Sequence, residues 1–195
     1  MICAVVLAAG RSARMGAQKL LLPLDGKPMI TRIVDAVLQS GADKVFVVVG
    51  RDAGQVRGVL PNRGVTFVTN PDAEGDMLTS VRCGVRALPP GCNGVLIVLG
   101  DQPGATHELI GELIRCFRKT GQGIIVPKYQ SQRGHPLLFA AHFCDEVLTK
   151  HSDTGLRGLL LAHPEEVIEL PVASSAVLED LDTPEDYARR IRAAT

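Results

Sequence analysis

Residues 2–19, ICAVVLAAGRSARMGAQK, predict the opening of a parallel α/β fold. The first six are apolar, as expected for a strand that is buried on both faces. The loop after them holds two glycines and three cations, Arg11, Arg14 and Lys19, with no acidic side chain before Asp25. Backbone N–H groups and positive charge at the carboxyl end of a strand suit a polyphosphate. The alternative is a solvated basic loop, since the glycine spacing matches neither a Walker A nor a dinucleotide-binding motif.

Strand-like and helix-like patterns alternate through the rest of the chain. Apolar β-rich runs predict further strands at 45–49, 65–69, 95–99, 123–126, 137–139 and 166–170. Amphipathic patterns and caps predict helices at 28–39, 77–88, 106–119, 140–149 and 154–162, and a last one from Thr183. The polar stretch 127–136 reads as a loop. This alternation predicts a single domain, residues 1–195, folded as a three-layer α/β/α sandwich around a mostly parallel, Rossmann-like sheet.

Composition excludes several classes of protein. The 195 residues carry 21 basic and 21 acidic side chains, whereas proteins that bind nucleic acid or an anionic membrane over their whole surface are normally basic. The longest apolar run, residues 2–9, is far below the ~20 residues that span a bilayer. Five scattered cysteines without a C-x-x-C pair support neither a disulfide framework nor a zinc knuckle. We therefore expect a cytoplasmic protein with neither nucleic acid nor membrane as a partner.

Acidic residues lie beside two predicted elements where a cation could bind. Asp101 comes directly after the buried run 95–99, and a carboxylate at that edge can hold Mg²⁺; the alternative is a turn or helix-capping role. The segment 179–182 (EDLD) precedes the last helix. In this segment we expect only one of Asp180 and Asp182 to point inward, and we choose Asp182; alternatively both complement the positive end of the helix. Cations opposite these acids predict metal-assisted chemistry on a nucleoside triphosphate.

Three motifs together resemble the MobA-like nucleoside-triphosphate transferases. They are LAAGRSARMGAQKLLLPLDGKPMI at 7–30, GDQP at 100–103 and LEDLDTPEDY at 178–187. The resemblance implies a nucleotide-diphospho-sugar transferase fold and Mg²⁺-dependent nucleotidyl transfer that releases pyrophosphate. Within the family the chain is similar to the molybdenum cofactor cytidylyltransferases, since the guanylyl relatives usually read LAGG at 7–10. That likeness implies CTP as the donor, molybdopterin as the acceptor and a molybdenum hydroxylase as the recipient of the product.

The resemblance also implies roles for individual residues. The nucleotide would contact Leu7, Ala8, Ala9, Gly10, Arg14, Lys19, Asn70, Gly75, Ser80 and Asp101. The catalytic set would be Arg14, Lys19 and Asp101, the metal ligands Asp101 and Asp182, and the acceptor-side residues Gln102, His135 and Asp153. The alternatives are purely structural roles: a turn at Asn70, a helix cap near Ser80, a solvated loop at His135 and a helix start at Asp153. Asp76 departs from the family pattern, which has a small or apolar residue there.

Three other functions remain open from the sequence. The acceptor could be a sugar phosphate or another small phosphate ester, because acceptor loops vary most. A nicotinamide-dependent oxidoreductase is disfavoured by the missing dinucleotide motif. A non-catalytic maturation factor that hands a modified cofactor to a molybdenum enzyme would bind the product without making it.

Overall fold

The computed structural model, which describes residues 1–10, 18–50, 53–72, 76–121 and 123–193, is organised around one eight-stranded sheet. The strands in chain order are β1 (Ile2–Ala8), β2 (Pro23–Leu24), β3 (Lys27–Pro28), β4 (Lys44–Val49), β5 (Val65–Thr69), β6 (Gly94–Leu99), β7 (Ile124–Tyr129), β8 (Gln132–Arg133), β9 (Leu137–Ala140) and β10 (Val167–Pro171). The helices are α1 (Met29–Gln39), α2 (Ala53–Gly58), α3 (Met77–Arg86), α4 (His107–Thr120), α5 (Cys144–Thr149), α6 (Leu156–Ala162) and α7 (Pro184–Ala193).

The main sheet has the order β10-β7-β9-β6-β1-β4-β5, with β8 paired to β7 and with β2 and β3 in a separate hairpin. Strand β9 runs antiparallel to β6 and β7, and the other strands along this order pair in parallel. Helix α1 packs against α4 on one face, and α3 packs against α5 on the other. The predicted three-layer sandwich with a mostly parallel sheet is confirmed. No helix in the described ranges combines the length and apolarity needed to cross a membrane.

Strand β1 fixes the centre of the sheet, because all seven of its residues are buried between β4 and β6. The chain runs outward from β1 to β4 and β5, and then returns to β6 on the other side of β1. Strand order therefore reverses between β1 and β6, where ligands bind in open parallel sheets. The backbone N–H of Gly100 donates to the Leu7 carbonyl at 3.0 Å. A Cβ at residue 100 would lie 2.7 Å from that carbonyl oxygen, so this close approach requires glycine.

The predicted loop at 127–136 is wrong. Strand β7 continues to Tyr129, turns, and pairs with β8 in the register Lys128↔Arg133. The polar side chains in this segment belong to strands rather than to a loop. Lys128 and Arg133 both form ion pairs with Glu169 on β10. Helix α2 and the β2–β3 hairpin were not predicted, since both are short and lack a clear hydrophobic period. The remaining predicted strands and helices are confirmed, with boundaries displaced by a few residues.

Candidate active site

The Lys19 side chain lies between two carboxylates at the carboxyl edge of the sheet. Its Nζ is 2.5 Å from Asp101 Oδ2 and 2.8 Å from Asp182 Oδ1. Lys19 begins a short 3-10 helix, Lys19–Leu21, and is only 7% exposed although it carries a charge. Asp101 follows β6 and Asp182 precedes α7, so three distant parts of the sequence meet at one ammonium group.

Burial lowers the pKa of Lys19, but the carboxylates of Asp101 and Asp182 more than offset that effect and leave the pKa above its ordinary value. The lysine is therefore charged at neutral pH. The ammonium is a cation held by two carboxylate oxygens, and hard oxygen ligands of this type also suit Mg²⁺ or Mn²⁺. The position that the Lys19 ammonium occupies therefore fits a divalent metal ion.

The acidic segment before α7 is anchored by Leu181. This side chain is buried, and its backbone N–H donates to the Asp101 carbonyl at 3.2 Å. Asp182 is half-buried and Asp180 is exposed, so the choice of Asp182 as the inward-facing acid agrees with the structure. Asp182 contacts Lys19, and Asp180 Oδ1 accepts a hydrogen bond from Gln102 Nε2 at 2.5 Å. Residues two apart in an extended segment share a face, so alternation along the segment does not by itself distinguish these two acids.

The β1 loop brings small residues to the same edge. Leu7 and Ala8 are buried at the end of β1, Ala9 is half-buried, and Gly10 is exposed. The Ala9 backbone passes so close to Gly50 that a Cβ there would lie 3.1 Å from the Ala9 carbonyl oxygen. Arg11, Arg14 and Gly75, to which the sequence assigns nucleotide contacts or positive charge, lie outside the described residues.

Asn70 and Ser80 form a buried polar pair. The Asn70 Nδ2 donates to Ser80 Oγ at 3.0 Å, and Asn70 Oδ1 accepts from the Asp72 backbone N–H at 3.0 Å in a turn. Asn70 follows β5, so this pair lies at the same carboxyl edge of the sheet as Lys19. Asp76, the departure from the family pattern, is the N-cap of α3 and accepts from the Thr79 backbone N–H at 2.9 Å. Its acid therefore has a structural explanation.

His135 approaches the site from the loop before β9. Its backbone N–H donates to the Val177 carbonyl at 3.0 Å, which joins this loop to the segment that leads into the acidic residues. A Cβ at Gly134 would lie 2.3 Å from the same carbonyl oxygen, so glycine permits the contact. Burial lowers the pKa of His135, and the nearby Asp180 and Asp101 carboxylates oppose that shift only in part. The imidazole is consequently neutral at neutral pH.

The other two acceptor-side candidates lie in different surroundings. Gln102 is only 4% exposed, and its Nε2 donates a hydrogen bond to Asp180. Its Oε1 is buried and has no hydrogen-bond partner among the described residues. Asp153 is exposed in the turn before α6, and it forms no hydrogen bond or ion pair with the described part of the chain. The structure therefore brings together Lys19, Asp101, Asp180, Asp182, Gln102 and His135, but not Asp153.

A cavity of about 600 Å³ opens beside His135, between the β7–β9 region and α6. Helix α6 contributes Leu156, Arg157, Leu160 and Leu161 to its lining, and the opposite wall includes Arg133. None of these residues was identified from the sequence. The one sequence signal is an arginine among the leucines of α6, because the 63% exposure of Leu161 is known only from the structure.

Comparison with known proteins gives a consistent result. Residues 4–167 match the model of a family described as the MobA-like NTP transferase domain. The chain is 25% identical to the molybdenum cofactor cytidylyltransferase of Escherichia coli, over 94% of this chain and 92% of the relative. It is 30% identical to the nicotine blue oxidoreductase of Paenarthrobacter nicotinovorans, over 96% of this chain and 95% of the relative.

Solved structures are similar over nearly the whole chain. The crystal structure of Rv0371c from Mycobacterium tuberculosis has a TM-score of 0.88 and 31% identity, covering 98% of this chain and 97% of that one. The same protein in complex with manganese has a TM-score of 0.84 and 30% identity, covering 98% of both chains.

Proposed function

The chain belongs to the MobA-like NTP transferase family and is a nucleotidyltransferase, and from this premise we propose that it transfers CMP from CTP to molybdopterin. Nucleotidyltransferases of this family use a divalent metal, and we propose Mg²⁺ as the physiological ion. In the proposed reaction residues 1–195 act as one catalytic domain. Its substrates would be CTP and a phosphate-bearing pterin, and the product would pass to a molybdenum hydroxylase.

The observation that carries the proposal is the convergence of Lys19, Asp101 and Asp182 at the point where strand order reverses. A family resemblance alone would leave the reaction centre unlocated. Here a buried cation and two carboxylates, from three separate sequence motifs, share one position next to the small-residue loop after β1. That is the arrangement needed to neutralise a triphosphate and to hold its metal.

Each group in the site has a proposed task. Ala8, Ala9 and Gly10 let the base and ribose approach the backbone, and the Asn70–Ser80 pair, with Gly75, closes that pocket. Lys19 and Arg14 neutralise the phosphates. Asp101 and Asp182 would hold the metal, which when bound polarises the α-phosphate and offsets charge on the leaving pyrophosphate.

The chemistry requires positioning more than covalent help from the protein. A phosphate oxygen of the acceptor attacks the α-phosphorus of CTP, and a new P–O bond forms. The bond from the α-phosphorus to the oxygen that bridges it to the β-phosphorus breaks, and pyrophosphate leaves with the electron pair. An acceptor phosphate ionised at neutral pH needs no base, which agrees with a neutral His135 acting as a hydrogen-bonding group.

The cavity beside His135 supports a flat acceptor that carries an anion. Its leucine side chains on α6 offer an apolar surface for a ring system, and Arg157 offers positive charge for a phosphate, whereas Arg133 on the opposite wall is already paired with Glu169. Gln102 would act through Asp180 rather than by direct contact, because it is buried beneath that carboxylate. Asp153, exposed on the turn before α6, is the weakest of the proposed acceptor contacts.

A cytoplasmic location is proposed as well. All five cysteines are free thiols, as expected in a reducing compartment.

The decisive assay measures pyrophosphate release with each of the four nucleoside triphosphates, Mg²⁺ and molybdopterin. We expect release with CTP that depends on molybdopterin, and little with the other three nucleotides. An Asp101→Asn variant purified in parallel controls for contaminating activity. Release that follows a sugar phosphate instead of molybdopterin would keep the reaction class and overturn the acceptor. Tight binding of the cytidylylated product without any turnover would instead indicate a maturation factor.

One relative supports a second candidate function, because its printed name is that of an oxidoreductase and it is 30% identical to this chain. Oxidation of reduced nicotinamide by the purified protein, followed by absorbance, tests this candidate directly. We expect no oxidation above the rate without protein. A saturable rate that survives Asp101→Asn would favour the oxidoreductase.

A further inference from the structure

We propose that Lys19 closes the metal position in the nucleotide-free enzyme, so that the divalent metal enters only together with a triphosphate. The inference rests on the proposed function, in which Asp101 and Asp182 are metal ligands. It adds a property of the free enzyme: the two carboxylates are already occupied by the protein's own cation.

The distances make the two cations mutually exclusive. Lys19 Nζ is at hydrogen-bond distance from one oxygen of each carboxylate, 2.5 Å from Asp101 and 2.8 Å from Asp182. A Mg²⁺ ion needs oxygen ligands at about 2.0–2.1 Å. An ion bound to these same two oxygens would overlap the ammonium, so the lysine must move before the metal can bind both of these oxygens.

The surroundings of Lys19 make that movement unfavourable on its own. The side chain is only 7% exposed, and leaving the site would break its charge-assisted hydrogen bonds to Asp101 and Asp182. A metal arriving alone would replace the ammonium as the counter-ion of the carboxylates, but it would bring no anion to the displaced ammonium and would meet positive charge on entry. A triphosphate supplies that anion. The lysine can then exchange carboxylates for phosphate oxygens while the metal takes its place.

This exchange predicts positive coupling between metal and nucleotide. Each ligand should raise the affinity for the other by the same factor, because coupling free energies are reciprocal. It also predicts that the coupling depends on the charge of residue 19. Removing that charge takes the cation away from between the two carboxylates, which should then bind a divalent ion without any nucleotide.

The test is Mn²⁺ binding to the nucleotide-free protein, measured from the electron paramagnetic resonance signal of free Mn²⁺. The variants are Lys19→Met, Lys19→Gln and the control Lys27→Met, which removes a lysine that also faces a carboxylate, Asp35 at 3.5 Å, but is 62% exposed. Losing a unit charge within a few ångströms of the ion should tighten Mn²⁺ binding at least about tenfold in either Lys19 variant. The control should bind Mn²⁺ as the wild type does.

The outcomes separate the inference from the function on which it rests. Equal Mn²⁺ affinity in the wild type and in a folded Lys19 variant, with binding still lost in Asp101→Asn, overturns the closed position but leaves the metal ligands intact. Binding at Lys19→Met that persists when Asp101→Asn is added overturns the metal assignment itself. If neither Lys19 variant folds, as judged by circular dichroism, the wild type decides. Tight, stoichiometric Mn²⁺ binding without nucleotide contradicts the inference, and weak binding that Asp101→Asn abolishes supports it.

Discussion

Replacing Asp101 with asparagine should separate catalysis from folding. The substitution keeps the size and shape of the side chain but removes one of the two charges around Lys19, whose Nζ lies 2.5 Å from Asp101 Oδ2. The lysine keeps its second partner, Asp182, at 2.8 Å. Because the Asp101 side chain is 23% exposed, we discount the lost charge-assisted hydrogen bond for solvent screening and expect a loss of about 1–2 kcal/mol in unfolding free energy.

The two consequences have very different sizes. For a chain of this length, that loss lowers the melting temperature by roughly 2–8 °C. Turnover should fall by about a thousandfold, or about 4 kcal/mol, because a neutral amide replaces a charged metal ligand at the reacting centre. The assay is pyrophosphate release at saturating CTP and Mg²⁺, with a thermal melt of the same preparation.

Asp35→Asn provides a matched control. The Asp35 side chain is 24% exposed and forms an ion pair with Arg63 at 2.7 Å, so it resembles Asp101 in burial and pairing. It lies on α1, away from Lys19, and the substitution should lower the melting temperature without changing turnover. Retention of more than about a tenth of wild-type turnover in folded Asp101→Asn would refute the reasoning, because the loss of a metal ligand should lower turnover by far more than tenfold.

Three further predictions concern other parts of the molecule. Asn70→Ala removes the 3.0 Å hydrogen bond to Ser80 from a buried pair, so the free energy of unfolding measured in urea should fall by about 1–3 kcal/mol. The KM for CTP should also rise, and an unchanged KM would show that this pair does not line the nucleotide pocket. His135→Ala should raise the KM for molybdopterin roughly tenfold, as expected for a lost hydrogen bond, while the KM for CTP stays constant, and the opposite split would move His135 to the nucleotide side. Hydrogen bonds from two histidines hold the pKa of Glu146 below its ordinary 4.5, so the stabilisation is present above that pH and is lost as the pH falls through the lower folded value. The difference in melting temperature between wild type and Glu146→Gln should therefore shrink on acidification below 4.5, and a difference that grows would contradict the assignment.

The parallel core was predictable because its signals are local. Strands β1, β4 and β6 are largely apolar runs, and the longer helices between them, α1 and α3, carry amphipathic stripes that a sequence displays directly. Thr183 is a clear case. Its hydroxyl accepts from the Asp186 backbone N–H at 3.2 Å, while the Asp186 carboxylate accepts from the Thr183 backbone N–H at 3.1 Å, as the capping pattern predicts.

Elements that depend on long-range pairing were not predictable in the same way. The β7–β8 hairpin is polar in sequence because Lys128 and Arg133 find their counter-charge on Glu169, which lies in a strand far along the chain. Nothing near residues 127–136 in the sequence reports that partner. The place of β9 between β6 and β7 likewise follows from the whole sheet rather than from its four residues.

The candidate site was foreseen in its residues but not in its contacts. The motifs identified Lys19, Asp101 and Asp182 separately, yet spacing alone could not indicate that the lysine would sit between the two acids. Alternation along the segment could not decide between Asp180 and Asp182, because residues two apart share a face, and the contact of Asp182 with Lys19 is visible only in the structure. The α6 lining of the cavity was missed because its leucines look like ordinary core residues until their exposure is known.

The most direct test of the central claim is a crystal structure with CTP and Mn²⁺, in which anomalous scattering locates the metal. The account predicts one Mn²⁺ at coordination distance from both Asp101 and Asp182, with Lys19 Nζ moved from these carboxylates to a phosphate oxygen. A metal bound elsewhere, or Lys19 still between the two acids with CTP in place, would contradict it.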